Sequence, residues 1–252
     1  MTAFSLKMIA IIAMTLDHGA KILGTESLLQ IFPSMSLLWA NHIITAAQMI
    51  GRIAFPMFAF LIAEGAEKTR SMPRYLGRLA LFAVISEPVF FFAFYSPNLE
   101  DFLRSLLQLH LTNVFFTLLL GAASIYAYKL CRQKWQNNGL YIWLPVFGVI
   151  LLLGGVIRCD YDIAGILLIT ALYLAREKGQ KIVVILIWSV CLYLIGQGGG
   201  DLWVWLLSGL YCGFSALSAV FIWQYNGNRG KPMKWFFYIY YPVHILALVC
   251  LR

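Results

Sequence analysis

Residues 8–23 read MIAIIAMTLDHGAKIL. The run is apolar and long enough to enter a bilayer, yet it carries Asp17 and His18 side by side. A charge at the centre of a spanning helix costs roughly 2.5–3.5 kcal/mol on insertion scales. An ionisable pair at that depth therefore needs a reason, structural or chemical.

Composition supports the membrane setting. Of the 252 residues 61% are apolar or aromatic and 12% are charged, and the mean hydropathy is +0.78. A soluble domain carries about 25% charged residues. Hydrophobic stretches lie near 7–24, 43–66, 75–96, 111–130, 140–157, 161–176, 181–196, 202–223 and 234–251. The expectation is an all-α polytopic integral membrane protein with about nine transmembrane helices, within a range of roughly eight to eleven. The stretches 161–176 and 181–196 are short for a span, which suits tilted or partly re-entrant segments. No composition break marks a linker, so 1–252 reads as a single transmembrane domain. The first stretch lacks a small-residue cleavage site and reads as a retained helix. The amphipathic segment 25–42 suits the outer interface.

Lys and Arg concentrate in connections that stay cytoplasmic. Here they alternate. Lys68, Arg70, Arg74 and Arg78 mark one such connection, Lys129, Arg132 and Lys134 the next, then Arg176, Lys178 and Lys181, then Arg229, Lys231 and Lys234. The connections between them, ending with the glycine-rich 196–201, are poor in positive charge. The N-terminus is then cytoplasmic and the C-terminus outside, in a multi-pass protein. This pattern also explains the net charge of +8 without a nucleic acid partner. The five cysteines, at 131, 159, 191, 212 and 250, show no CxxC spacing, so neither a zinc site nor a disulfide framework is expected.

The rise of 1.5 Å per residue places His18 about 16 Å, Glu87 about 18 Å and His244 about 15 Å from the cytoplasmic ends of their helices. Three helices thus bring titratable groups to one level. Arg52 could reach Glu87 or Asp17, either as a packing pair or as part of a working site. A neutral imidazole near pH 7 is suited to moving a proton in a buried site, which singles out His18. His42 and His110 fall at helix ends and read as interfacial. Between Gly51 and Glu87 lie Arg52, a helix-kinking Pro56, a Glu64–Gly65 helix end and the cationic group Lys68, Arg70, Arg74 and Arg78. If helical, the three arginines form one stripe. Such a stripe suits anionic lipid or a phosphorylated ligand.

With LDHGAKIL at 16–23, GRIAFPMFAFLIAEG at 51–65, TNVFFTLLLG at 112–121, YDIAGILLI at 161–169 and FYIYYPVHILAL at 237–248, the chain resembles the TraX family. That family is related to pilin N-acetyltransferases and, more distantly, to the multispan membrane acyltransferases that modify exported sugars. The resemblance covers essentially the whole chain. Those distant relatives carry a histidine in the first helix and a basic cluster after a later one, matching His18 and Arg70, Arg74 and Arg78. Their first helix often has an arginine well before the histidine, where this chain offers Lys7.

The resemblance implies an acyltransferase-type helical bundle that moves an acyl group from cytoplasmic acetyl-CoA, or another acyl-CoA, to an amine or hydroxyl of a membrane or exported acceptor. A pilin N-terminus or a glycan would serve. Lys68, Arg70, Arg74 and Arg78 would hold the CoA phosphates. His18 would act as general base, or carry the acyl group itself. Glu87, Arg52 or His244 would orient the imidazole or stabilise the oxyanion, and Asp17 is a further catalytic candidate. Adjacent helical residues point about 100° apart, so Asp17 is expected to pair with another helix. Asn113 and Glu64 are candidates for acceptor binding or orientation, Asn113 equally for a helix cap. No metal is expected. A small transporter with a midplane charged site and a noncatalytic assembly subunit remain as alternatives. No internal repeat speaks for the transporter.

Overall fold

Pro56 and Gly24 mark two of the interruptions in the apolar helices. The computed structural model describes residues 1–195 and 202–251, and among them there is no strand. Twelve α-helices follow in chain order: α1 (Ala3–Ile31), α2 (Leu37–Gly51), α3 (Ala54–Lys68), α4 (Met72–Phe94), α5 (Leu99–Leu107), α6 (Val114–Trp135), α7 (Gly139–Ile157), α8 (Asp162–Leu174), α9 (Lys178–Ile195), α10 (Leu202–Ala216), α11 (Ser218–Trp223) and α12 (Lys234–Cys250).

Each expected stretch is mainly helical over its described residues, but two are divided. Stretch 43–66 breaks at Arg52 and Ile53. Pro56, in the first turn of α3, has no N–H to give the Arg52 carbonyl, and its ring crowds that carbonyl. The expected kink is thus a full break. Stretch 202–223 divides between α10 and α11 at Leu217. Segment 25–42, expected at the outer interface or folded back over a cavity, is largely helical. Gly24, at φ 66° and ψ −174°, breaks α1, helix resumes to Ile31, and Ser36 caps the start of α2. The glycine-rich connection 196–201 lies outside the described residues.

The chain forms two compact units. The first is Met1–Phe58 with Lys178–Arg252, and the second is Ala59–Glu177. Their boundary falls inside α3, where no linker composition exists.

In the first unit α1 packs on α2 and α12, and α10 on α2 and α9. The Ala3 and Phe4 amides donate to the Asn228 and Arg229 carbonyls at 2.8 and 3.1 Å, so the start of α1 is tied to the basic lead-in of α12. Lys178, at the start of α9, donates to the Trp223 carbonyl at the end of α11. In the second unit α6 is central, packing on α4, α7 and α8. Lys129 near the end of α6 donates to the Ala66 carbonyl near the end of α3 at 2.6 Å. At the opposite end of that unit the Leu111 amide, before α6, donates to the Ile157 carbonyl that closes α7. Within each unit, therefore, the basic connections gather at one end.

Three stretches, Leu37–Lys68, Met72–Phe94 and Val114–Ile157, are long and apolar enough to cross a membrane. Of the most apolar window in the last, only 11% is buried. Outward-facing Val84, Leu152, Val156, Ile187 and Val243 make the same point. A soluble protein would turn such faces inward, so these faces fit contact with lipid tails.

Candidate functional site

A pair of buried histidines joins α1 to α12. Phe4 meets Phe237 edge to face at 6.2 Å, and Lys7 lies over the same ring at 4.8 Å. Further along, the Thr15 hydroxyl bonds the Tyr240 hydroxyl at 2.7 Å and the Ile11 carbonyl at 2.8 Å. These contacts advance together along both helices, so α1 and α12 run parallel. They bring His18 and His244 to one depth. His18 Nδ1 lies 2.8 Å from His244 Nε2, and the two rings are within 9° of coplanar. Nitrogens at this distance in rings that meet edge to edge form an N–H···N hydrogen bond. His244 Nδ1 contacts the Tyr240 carbonyl at 2.9 Å, and the Tyr240 ring lies parallel to His244 at 5.0 Å. Tyr241 stands steeply inclined to both imidazoles. Both histidines are buried, walled by aromatic rings.

Asp17 takes a different direction, as the 100° step between neighbours requires. Its expected partner on another helix is replaced by Lys21 one turn on, whose Nζ lies 2.6 Å from Oδ2. The i,i+4 spacing makes that pair the nearest available. The Asp17 Cβ presses on Gly51 of α2, where an added Cβ would sit 2.3 Å from it. Arg52, beside Gly51, lays its guanidinium over the Tyr211 ring at 5.5 Å, and Tyr211 donates to Gln48 at 3.1 Å.

Glu87 belongs to the second unit, in a saturated setting. Oε1 accepts from the Thr112 amide and hydroxyl at 2.7 and 3.0 Å, and Oε2 from the Asn113 amide and side chain at 3.2 and 2.6 Å. Asn113 also caps α6, its Oδ1 accepting from the Phe115 amide at 3.0 Å, and it donates to the Ala83 carbonyl at 2.9 Å. The carboxylate sits against the α6 N-terminus, where a negative charge is favoured. Glu87 and Asn113 together lock α4 to α6.

The cationic residues lie around the turn from α3 to α4. Lys68 pairs with Glu64 at 2.9 Å. Arg70 is in the turn, so only Arg74 and Arg78 are on the helix and the expected three-arginine stripe is shorter by one. The reason is Ser71 and Pro73, which start α4 after Arg70. Arg78 lies over the Tyr75 ring at 5.7 Å. Arg70 and Arg74 are exposed, and among the described residues neither has a carboxylate partner. Arg74 occupies the first turn of α4, where the helix dipole repels a cation. An anion there would relieve both effects.

His42 is exposed, beside Trp39, and His110 is half-buried in the connection before α6. Burial pushes the Cys159 thiol, between α7 and α8, up to about 11, which leaves little nucleophilic thiolate at neutral pH. Among the described residues no three His, Cys, Asp or Glu side chains gather as metal ligands. Sequence reasoning missed Thr112, Thr15 and Tyr240. Thr112 and Tyr240 stand within the quoted blocks TNVFFTLLLG and FYIYYPVHILAL, and Thr15 just precedes LDHGAKIL.

A helical fold with lipid-suited faces and a buried imidazole pair is that of a membrane protein with titratable groups in its interior. The family model described as "TraX protein" matches residues 3–252, and the chain belongs to that family. It is 29% identical over 255 residues to a probable fimbrial assembly protein FimC, serogroup H1, of Dichelobacter nodosus, covering 99% of this chain and 94% of that protein. No solved structure matches.

Proposed function

We propose that this protein is an acyltransferase of the bacterial inner membrane that modifies a component of surface fimbriae or another exported acceptor. The acyl group, in this reading acetyl, comes from cytoplasmic acyl-CoA and goes to an amine or hydroxyl. The observation that carries the reading is the buried contact between His18 and His244. A hydrogen-bonded imidazole pair among apolar helices joins α1 to α12 and also offers a group able to take up and return a proton near neutral pH, which supports this reading. His18 acts as general base on the acceptor. Arg70 and Arg74, unpaired by carboxylates among the described residues, are the cations offered to CoA phosphates, with Arg78 and the Lys68–Glu64 pair beside them. The name of the fimbrial relative supports an assembly-linked acceptor and suits a noncatalytic assembly subunit equally well.

The orientation belongs to the same proposal. About nine spans, with the four basic connections and the start of α1 cytoplasmic, agree with the way basic connections gather at one end within each unit. Glu87 and Asn113, which hold each other, serve as helix anchors in this reading, while Asp17 and Arg52 support the α1–α2 junction.

Calorimetry with acetyl-CoA on detergent-purified protein tests the reading. Wild type is expected to bind in the micromolar range, and Arg70→Ala with Arg74→Ala to weaken binding more than tenfold, since guanidinium–phosphate contacts are charge-assisted. A stable wild type that binds no acetyl-CoA overturns the transferase and leaves the small transporter and the assembly subunit.

A further inference from the structure

A base in this site has two nitrogens, and the hydrogen bonds around the pair decide which one works. A carbonyl oxygen only accepts. The 2.9 Å contact between His244 Nδ1 and the Tyr240 carbonyl therefore puts a proton on His244 Nδ1. In a neutral ring the other nitrogen, Nε2, is then an acceptor. It lies 2.8 Å from His18 Nδ1, which must be the donor. The unprotonated nitrogen of His18 is thus Nε2.

We propose that His244, set by the Tyr240 carbonyl, is a positioning residue that locks His18 in the Nδ1–H tautomer, so that His18 Nε2 is the base. The proposal rests on the acyltransferase reading for its chemistry, and its geometry stands apart from it. The near-coplanarity of the rings aligns the Nδ1–H of His18 with the in-plane lone pair of His244. The bond between the Thr15 and Tyr240 hydroxyls fixes the register of α12 on α1, and with it the carbonyl that orders the chain of donors. The arrangement has the logic of a catalytic triad, with a backbone carbonyl and a second imidazole in place of the carboxylate.

The step balances as follows. The acceptor nitrogen or oxygen bonds to the thioester carbonyl carbon while its proton passes to His18 Nε2. The carbon–sulfur bond breaks, and the departing thiolate takes that proton from His18 Nε2. Between these events one positive charge is shared, because the Nδ1 proton of His18 can shift to His244 Nε2. That moves charge onto a ring whose Nδ1–H already points at a carbonyl.

Nitrogen-15 spectra of histidine-labelled protein in bilayers test the lock. His18→Ala and His244→Ala assign the two rings among the chain's four histidines. The expected result is a protonated Nδ1 and bare Nε2 on His18, with a coupling from that Nδ1 to His244 Nε2 across the hydrogen bond. A His18 protonated on Nε2 with a bare Nδ1 overturns the proposal. Thiol release from acetyl-CoA, with a peptide bearing a free α-amino group, tests the consequence. His244→Ala is expected to lower kcat by about 10²-fold or more with KM for acetyl-CoA little changed. His244→Gln, whose amide oxygen can stand where Nε2 stood, is expected to recover most of that loss. Unchanged His42 and His110 signals check the fold of each variant. Wild-type turnover in His244→Ala overturns the proposal. The expected spectrum without any thiol release would sink the transferase and uphold the lock, whereas turnover with the opposite tautomer would do the reverse.

Discussion

Glu87 shows what depth alone could and could not reveal. Its position within an apolar helix marked it as a group needing partners, but those partners are two backbone amides, a threonine hydroxyl and an asparagine amide 25 and 26 residues away. Backbone donors leave no trace in a residue string. The same holds for the Tyr240 carbonyl behind His244, whereas the histidines themselves were legible from matching helical depth. Glu87→Gln replaces one acceptor oxygen with an amide that faces the donors of Asn113 or Thr112. The expected cost is about 2–3 kcal/mol of stability, read as a lowered melting temperature in detergent. A variant as stable as wild type would contradict the anchoring role.

At the scale of the element, helix existence was plain from hydrophobic runs and helix division was not. Pro56 announced a disturbance, but the choice between a kink and a break depends on how the Arg52 carbonyl can be satisfied, which sequence spacing does not specify. Gly51 is a position of close approach between α1 and α2, since a Cβ there would meet that of Asp17. Gly51→Ala is expected to force the two helices apart, at about 1–3 kcal/mol. Thermal unfolding measures it, and Gly148→Ala, where an added Cβ meets nothing within 4 Å, is the comparison.

For the whole molecule, charge alternation set an expectation of which connections share a side, and within each unit taken by itself the basic connections lie at one end. The division into two compact units was invisible, because the boundary lies within α3 and carries no change of composition. In a cysteine-depleted background, a membrane-impermeant maleimide is expected to label Glu100→Cys in intact cells and Lys231→Cys only after lysis. Both native side chains are exposed, so access rather than burial decides the result. Labelling of both from outside would refute the orientation. The two imidazoles, finally, are 226 positions apart in the chain. Ribosomal synthesis delivers His18 to the membrane early and its partner near the end. For most of that time the first helix holds an imidazole whose designated neighbour has not been made. On the reading proposed above, the site is therefore complete only once the last helix has been made, and a chain cut short before His244 is expected to lack it.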